Sequence, residues 1–79
     1  MNIRTAEHLG MAIRTRRKQL QLTQSDLAMT CGTGLRFIVD LEKGKPTCHI
    51  GKSLSVLQSL GLAIEIAPPS RGAIGGGKT

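Results

Sequence analysis

Residues 22–46 read LTQSDLAMTCGTGLRFIVDLEKGKP, and the fold is decided here. Thr23 can cap a helix over QSDLAMTC, with Asp26 in the first turn, where negative charge suits the helix dipole. Gly32 follows where a left-handed stop is needed. Gly34 then opens a second run, LRFIVDLEK, in which Phe37, Ile38 and Leu41 gather on one side while Arg36, Asp40 and Lys43 point elsewhere. Gly44-Lys45-Pro46 closes it, because glycine takes the terminal left-handed geometry and proline cannot continue the hydrogen-bond ladder. The pattern predicts two short helices joined by a tight turn, crossing closely where Ala28 is small.

Working outward, residues 5–20 read as a preceding helix capped by Thr5, with Leu9, Ile13 and Leu20 near helical spacing and a cluster of Arg14, Arg16, Arg17 and Lys18 that reads as a solvated face. After the central stretch, Thr47 is a candidate cap for another helix whose Ile50, Leu54, Leu57 and Leu60 form an apolar stripe ended by Gly61. Residues 62–66, LAIEI, alternate as a half-buried strand does. With no partner strand in this chain, its cheapest solution is pairing with its own copy across a two-fold axis. These elements make a domain over residues 1–67, with a Gly-rich tail over 68–79 expected to be disordered.

The tail contains GAIGGGKT, residues 72–79, which meets the phosphate-loop pattern at every fixed position. That chemistry requires a strand leading into the glycines and a helix after the lysine. Here Pro68-Pro69 precede it and the chain stops at Thr79, so a chance match is the reading, and an enzymatic or nucleotide-binding role is not expected. No nucleophile-base constellation appears elsewhere.

The chain has 79 residues with 11 Lys plus Arg against 5 Asp plus Glu, a formal charge of +6, which favours a polyanionic partner. One phenylalanine and no tryptophan or tyrosine leave no aromatic platforms for stacking unpaired bases, so duplex DNA is preferred over single strands or RNA. Cys31, Cys48, His8 and His49 lack the close pairing of a zinc site, so no metal and no cofactor are expected. No apolar span or signal segment stands out, which predicts a cytoplasmic protein with free thiols.

Two short helices around CGTG form a helix-turn-helix, in which the first helix braces and the second enters the major groove. The conjunction of LTQ, LA, G and LExGK resembles the Cro/cI (Xre) superfamily, and TCHIGKSLSVLQSLGLAIEI resembles HipB-type antitoxins. The resemblance covers residues 9–66. It implies a mainly α, lambda-repressor-like domain of four to five helices with one C-terminal strand, Leu62, Ile64 and Ile66, pairing across a homodimer. It also implies operon autorepression and neutralisation of a HipA-like kinase toxin. A free-standing Xre repressor without a toxin is the alternative.

Within that frame, Gly34, Leu35 and Arg36 are the base-contacting candidates. The Arg36 fork matches guanine O6 and N7, Leu35 offers apolar contact to a thymine methyl, and Gly34 allows close backbone approach. Superfamily members more often carry polar residues here. Thr23 and Gln24 at one helix N-terminus, and Lys43 and Lys45 at the exit of the next, are the phosphate-contacting candidates, although a capping threonine and lysines complementing a dipole would look the same. By resemblance, Arg17 and Glu42 form a structural ion pair.

Overall fold

The computed structural model describes residues 3–66 and contains, among them, α1 (Ala6–Gln19), α2 (Gln24–Cys31), α3 (Leu35–Lys43) and α4 (Ile50–Ser59). The phosphate-loop pattern and the Gly-rich tail lie outside the described residues. No helix among the described residues is long and apolar enough to cross a membrane.

Local chemistry sets the helix ends. The Thr5 hydroxyl accepts the His8 N–H at 3.0 Å and starts α1. At α2, Thr23 and Asp26 form a reciprocal capping box: the Thr23 hydroxyl accepts the Asp26 N–H, and the Asp26 carboxylate accepts the Thr23 N–H, each at 3.0 Å. Thr23 holds the Asp26 carboxyl below its ordinary pKa, its backbone N–H first and its hydroxyl second. The helix C-termini share one closure, with a left-handed residue donating back three positions and its successor donating back five. Gly32, Gly44 and Gly61 supply it after α2, α3 and α4, whereas Gln21 supplies it after α1 at φ 61°.

The core joins Ile13 of α1, Leu27 and Ala28 of α2, Ile38 and Leu41 of α3, and Val56, Leu57 and Leu60 at α4, with Leu9, Leu22, Phe37 and the two free cysteines packed around it. Burying an aliphatic side chain of this size contributes about 1.5–3 kcal/mol. α3 sits between α1 and α2, and α4 lies against α2. Glycine makes the α1–α3 crossing possible: a Cβ at Gly10 would stand 2.5 Å from the Leu41 carbonyl oxygen and 2.6 Å from that of Glu42. At Gly44, with φ +85°, a Cβ would stand 2.7 Å from the Glu7 Cα. The C-terminal end of α3 is thereby pressed against the first turns of α1.

Four expectations about the helices change. Thr47 does not cap α4: residues 45–48 form a turn around Pro46, closed by the Cys48 N–H on the Lys45 carbonyl, and the cap passes to His49, whose Nδ1 accepts the Lys52 N–H at 3.3 Å. The buried face of α4 is Ser53, Val56, Leu57 and Leu60, leaving Ile50 67% and Leu54 43% exposed. A stripe with i, i+4 and i+7 spacing left two adjacent faces possible, and Ser53, satisfied by the His49 carbonyl at 2.9 Å, sits on the inner one. Leu20 lies at the α1 C-cap, exposed, while Gly10 and Arg17 share the buried side of that helix with Ile13. The basic cluster on α1 is not a simple solvated face, since Arg17 is buried and Arg16 donates from Nε to the Leu60 carbonyl at 2.9 Å, fastening α1 to the end of α4. Residues 62–66 carry no secondary-structure pairing among the described residues; the Leu62 N–H closes α4 on the Leu57 carbonyl, and Ile66 is 94% exposed.

Candidate nucleic-acid interface

The site is built behind α3 before it is built in front of it. Arg17 lies 7% exposed and directs all three of its nitrogens at acceptors. Nε donates to Glu42 Oε2 at 2.6 Å, Nη2 to Glu42 Oε1 at 3.1 Å, and Nη1 to the Leu22 carbonyl at 2.7 Å. Gln24 completes the cluster, its Nε2 donating to Glu42 Oε1 at 3.1 Å. The clasp therefore ties α1, the α1–α2 link, the first residue of α2 and the last turn of α3. Among the described residues no buried side-chain polar atom lacks a partner, the condition under which a buried ion pair is tolerated.

The opposite end of α3 is presented to solvent. Gly34 takes the N-cap position with no side-chain hydrogen bond, and a Cβ there would meet nothing within 4 Å. Leu35 is 47% exposed, and the Arg36 side chain is 86% exposed. This first turn holds no acidic residue, so its free N–H groups and Arg36 present one positive end. Further along the helix, the Asp40 carboxylate lies 3.3 Å from Arg36 Nε and 3.6 Å from Lys45 Nζ. Asp40 also bears on Cys48, whose thiol pKa is raised by burial first and by the Asp40 charge second.

Thr23 is exposed but spends its hydroxyl on the cap, and Gln24 is half-buried with its amide on Glu42. Lys43 is exposed at the α3 exit. A shallow groove runs between α1, the start of α2 and the second half of α3, lined by Arg14, Lys18, Lys43 and Val39 around the Arg17–Glu42–Gln24 cluster. Because Arg17 neutralises Glu42, the exposed lysines and Arg14 leave the rim cationic, suited to an anion such as a phosphate.

A helix-turn-helix with an unobstructed second helix and a cationic rim is the geometry of a DNA-reading domain. The chain is 54% identical over 67 residues to an uncharacterised HTH-type transcriptional regulator, y4mF, of Sinorhizobium fredii, covering 85% of this chain and 88% of that one. The chain belongs to the HTH-type transcriptional regulators. Its fold matches the "HipB-O4 20mer complex" with a TM-score of 0.78 and 27% identity, over 85% of this chain and 94% of that one. It matches the "Structure of HipA-HipB-O2-O3 complex" with the same score, identity and coverage. No family model matches the sequence.

Family resemblance paired Arg17 with Glu42, which lie 2.6 Å apart, and the pattern of the chain put residues 34–36 at the start of α3, where Gly34 is the N-cap and Leu35 the first helical residue. It missed Gly10, the Arg16–Leu60 fastening, the Gln24–Glu42 bond and the Asp40 bridge. The Asp40 bridge was detectable, because Arg36 and Asp40 stand at i and i+4 on one helix.

Proposed function

We propose that this protein is a sequence-specific, dimeric DNA-binding antitoxin that represses its own operon and neutralises a HipA-like kinase. The carrying observation is the exposed, uncapped first turn of α3, with the Arg36 side chain 86% exposed on a helix whose other end is clasped by Arg17 and Glu42. In this reading Arg36 pairs with a guanine, Leu35 packs on a thymine methyl, and Gly34 brings the backbone close to the bases. Thr23, Gln24, Lys43 and Lys45 contact phosphates and set register, Thr23 and Gln24 through N–H groups at the α2 N-terminus because their side-chain bonds are already in use.

Residues 62–66 supply the dimer contact. Leu62 rests on the core while Ile64 and Ile66 are exposed, and among the described residues the segment has no strand partner, a pairing that a second copy would supply. Two α3 helices related by such an axis would meet half-sites about 34 Å apart. The HipA–HipB assembly among the fold neighbours supports a kinase partner for this chain too.

Binding to the chain's own promoter duplex, compared with a random duplex at the same salt, tests the first part. Clear preference for the promoter with two chains per duplex in ultracentrifugation is expected; equal affinity for both duplexes, or one chain per duplex, contradicts it. Sequencing the adjacent gene and co-expressing its product with this chain tests the second: a HipA-like kinase that forms a stable complex is expected, and an adjacent product that is not a kinase or forms no complex removes the antitoxin role.

A further inference from the structure

We propose that Asp40 is the positioning residue that makes Arg36 a guanine reader, by holding the guanidinium at Nε so that its Nη1/Nη2 edge projects as a ready fork. The inference rests on the reading of Arg36 as a base contact and adds what sets its specificity. Arg36 Nε lies 3.3 Å from Asp40 Oδ1, so the edge that a guanine would use is the one Asp40 leaves free.

Asp40 is itself held. Its side chain is only 19% exposed, its other oxygen lies 3.6 Å from Lys45 Nζ, and its carbonyl accepts the Lys45 N–H at 3.0 Å where the chain turns off α3. The Arg36 side chain, by contrast, is 86% exposed, and among the described residues Asp40 is its one ion-pair partner. A long side chain in that situation loses rotamer freedom when it engages a base, and a fixed carboxylate four residues along removes part of that cost in advance.

A carboxylate on the reading face of a DNA-binding helix is otherwise a liability. It repels the phosphates, and removing it raises the chain's formal charge of +6 by one unit. The two accounts therefore predict opposite effects. If Asp40 is an ordinary surface partner, its loss strengthens binding to every duplex equally. If it positions Arg36, its loss relaxes choice at one base pair while general affinity holds or rises.

The test uses a duplex selected by the wild-type protein from a randomised library, and a panel with each base pair replaced in turn. Dissociation constants at fixed salt are measured for the wild type, Arg36→Ala, Asp40→Ala and Asp40→Asn. Arg36→Ala should lose about 10- to 100-fold of discrimination at one base pair per half-site. Asp40→Ala and Asp40→Asn should lose about 3- to 10-fold at that same base pair, with affinity for a random duplex unchanged or higher. If Arg36→Ala relaxes a base pair and neither Asp40 variant does, this proposal is overturned and the Arg36 reading stands. If Arg36→Ala relaxes none, both fall.

Discussion

Two arginine–carboxylate pairs share the short helix α3, one reaching it from α1 and one within it, and they differ in almost every physical respect. Glu42 at the end of α3 is met by Arg17 at 2.6 Å, with side chains 9% and 4% exposed and further bonds from Gln24 and to the Leu22 carbonyl. Near its start, Arg36 meets Asp40 at 3.3 Å with 86% of the arginine side chain in water. Identical chemistry has opposite consequences because desolvation decides how much a broken pair costs. A buried charge that loses its partner is stranded, whereas an exposed one is simply rehydrated. The first pair belongs to the fold, and the second leaves the Nη edge of Arg36 open to solvent.

The comparison breaks most visibly at Glu42. Glu42→Ala strands Arg17, so we expect a loss of roughly 3–5 kcal/mol, enough to unfold much of a small domain at ambient temperature. Thermal or urea unfolding followed by circular dichroism reads this, and an unchanged midpoint would refute a structural role for the clasp. Gly10→Ala attacks the same end of α3 sterically, because its Cβ would sit within 2.6 Å of two backbone oxygens. A loss of about 1–3 kcal/mol is expected in the same melts.

At the other end, Arg36→Ala should shift stability by no more than about 0.5 kcal/mol, since only an exposed i, i+4 pair is lost. A larger loss would mean that Arg36 belongs to the fold after all. The smallest effect concerns Asp26, whose folded pKa lies below its unfolded one because Thr23 hydrogen-bonds the carboxylate. Its contribution is therefore full above the unfolded carboxylate value and fades as pH falls through the folded one. Asp26→Asn should melt below the parent at neutral pH, and the two curves should converge at the lowest pH the fold survives. A gap that persists or widens on acidification would reverse that sign.

The parts of this molecule legible in its sequence are those fixed by local rules. Capping by Thr5 and Thr23, stops at Gly32, Gly44 and Gly61, and the α2–turn–α3 unit all follow from neighbours within a few residues. Arg17 and Glu42 lie 25 positions apart, and only resemblance to a family brought them together before the structure did. What stayed hidden depends on which side of a helix meets a distant surface. The stripe on α4 named Ile50 and Leu54 as core because spacing alone cannot distinguish the face carrying Ser53 and Val56. Gly10 gave no sign of itself either, since nothing in MNIRTAEHLG reveals that two carbonyls of α3 will arrive there. The cap at Thr47 failed because a turn around Pro46 delays α4 to Ile50.

The most direct measurement is a structure of the protein on its selected duplex. We predict that an α3 from each of two chains lies in neighbouring major grooves, with the Arg36 Nη atoms about 2.9 Å from guanine N7 and O6, while Arg17 keeps its 2.6 Å bond to Glu42. Arg36 directed at solvent with other residues on the base edges, or Arg17 swung out of its clasp to meet the DNA, would contradict the division of labour between the two pairs.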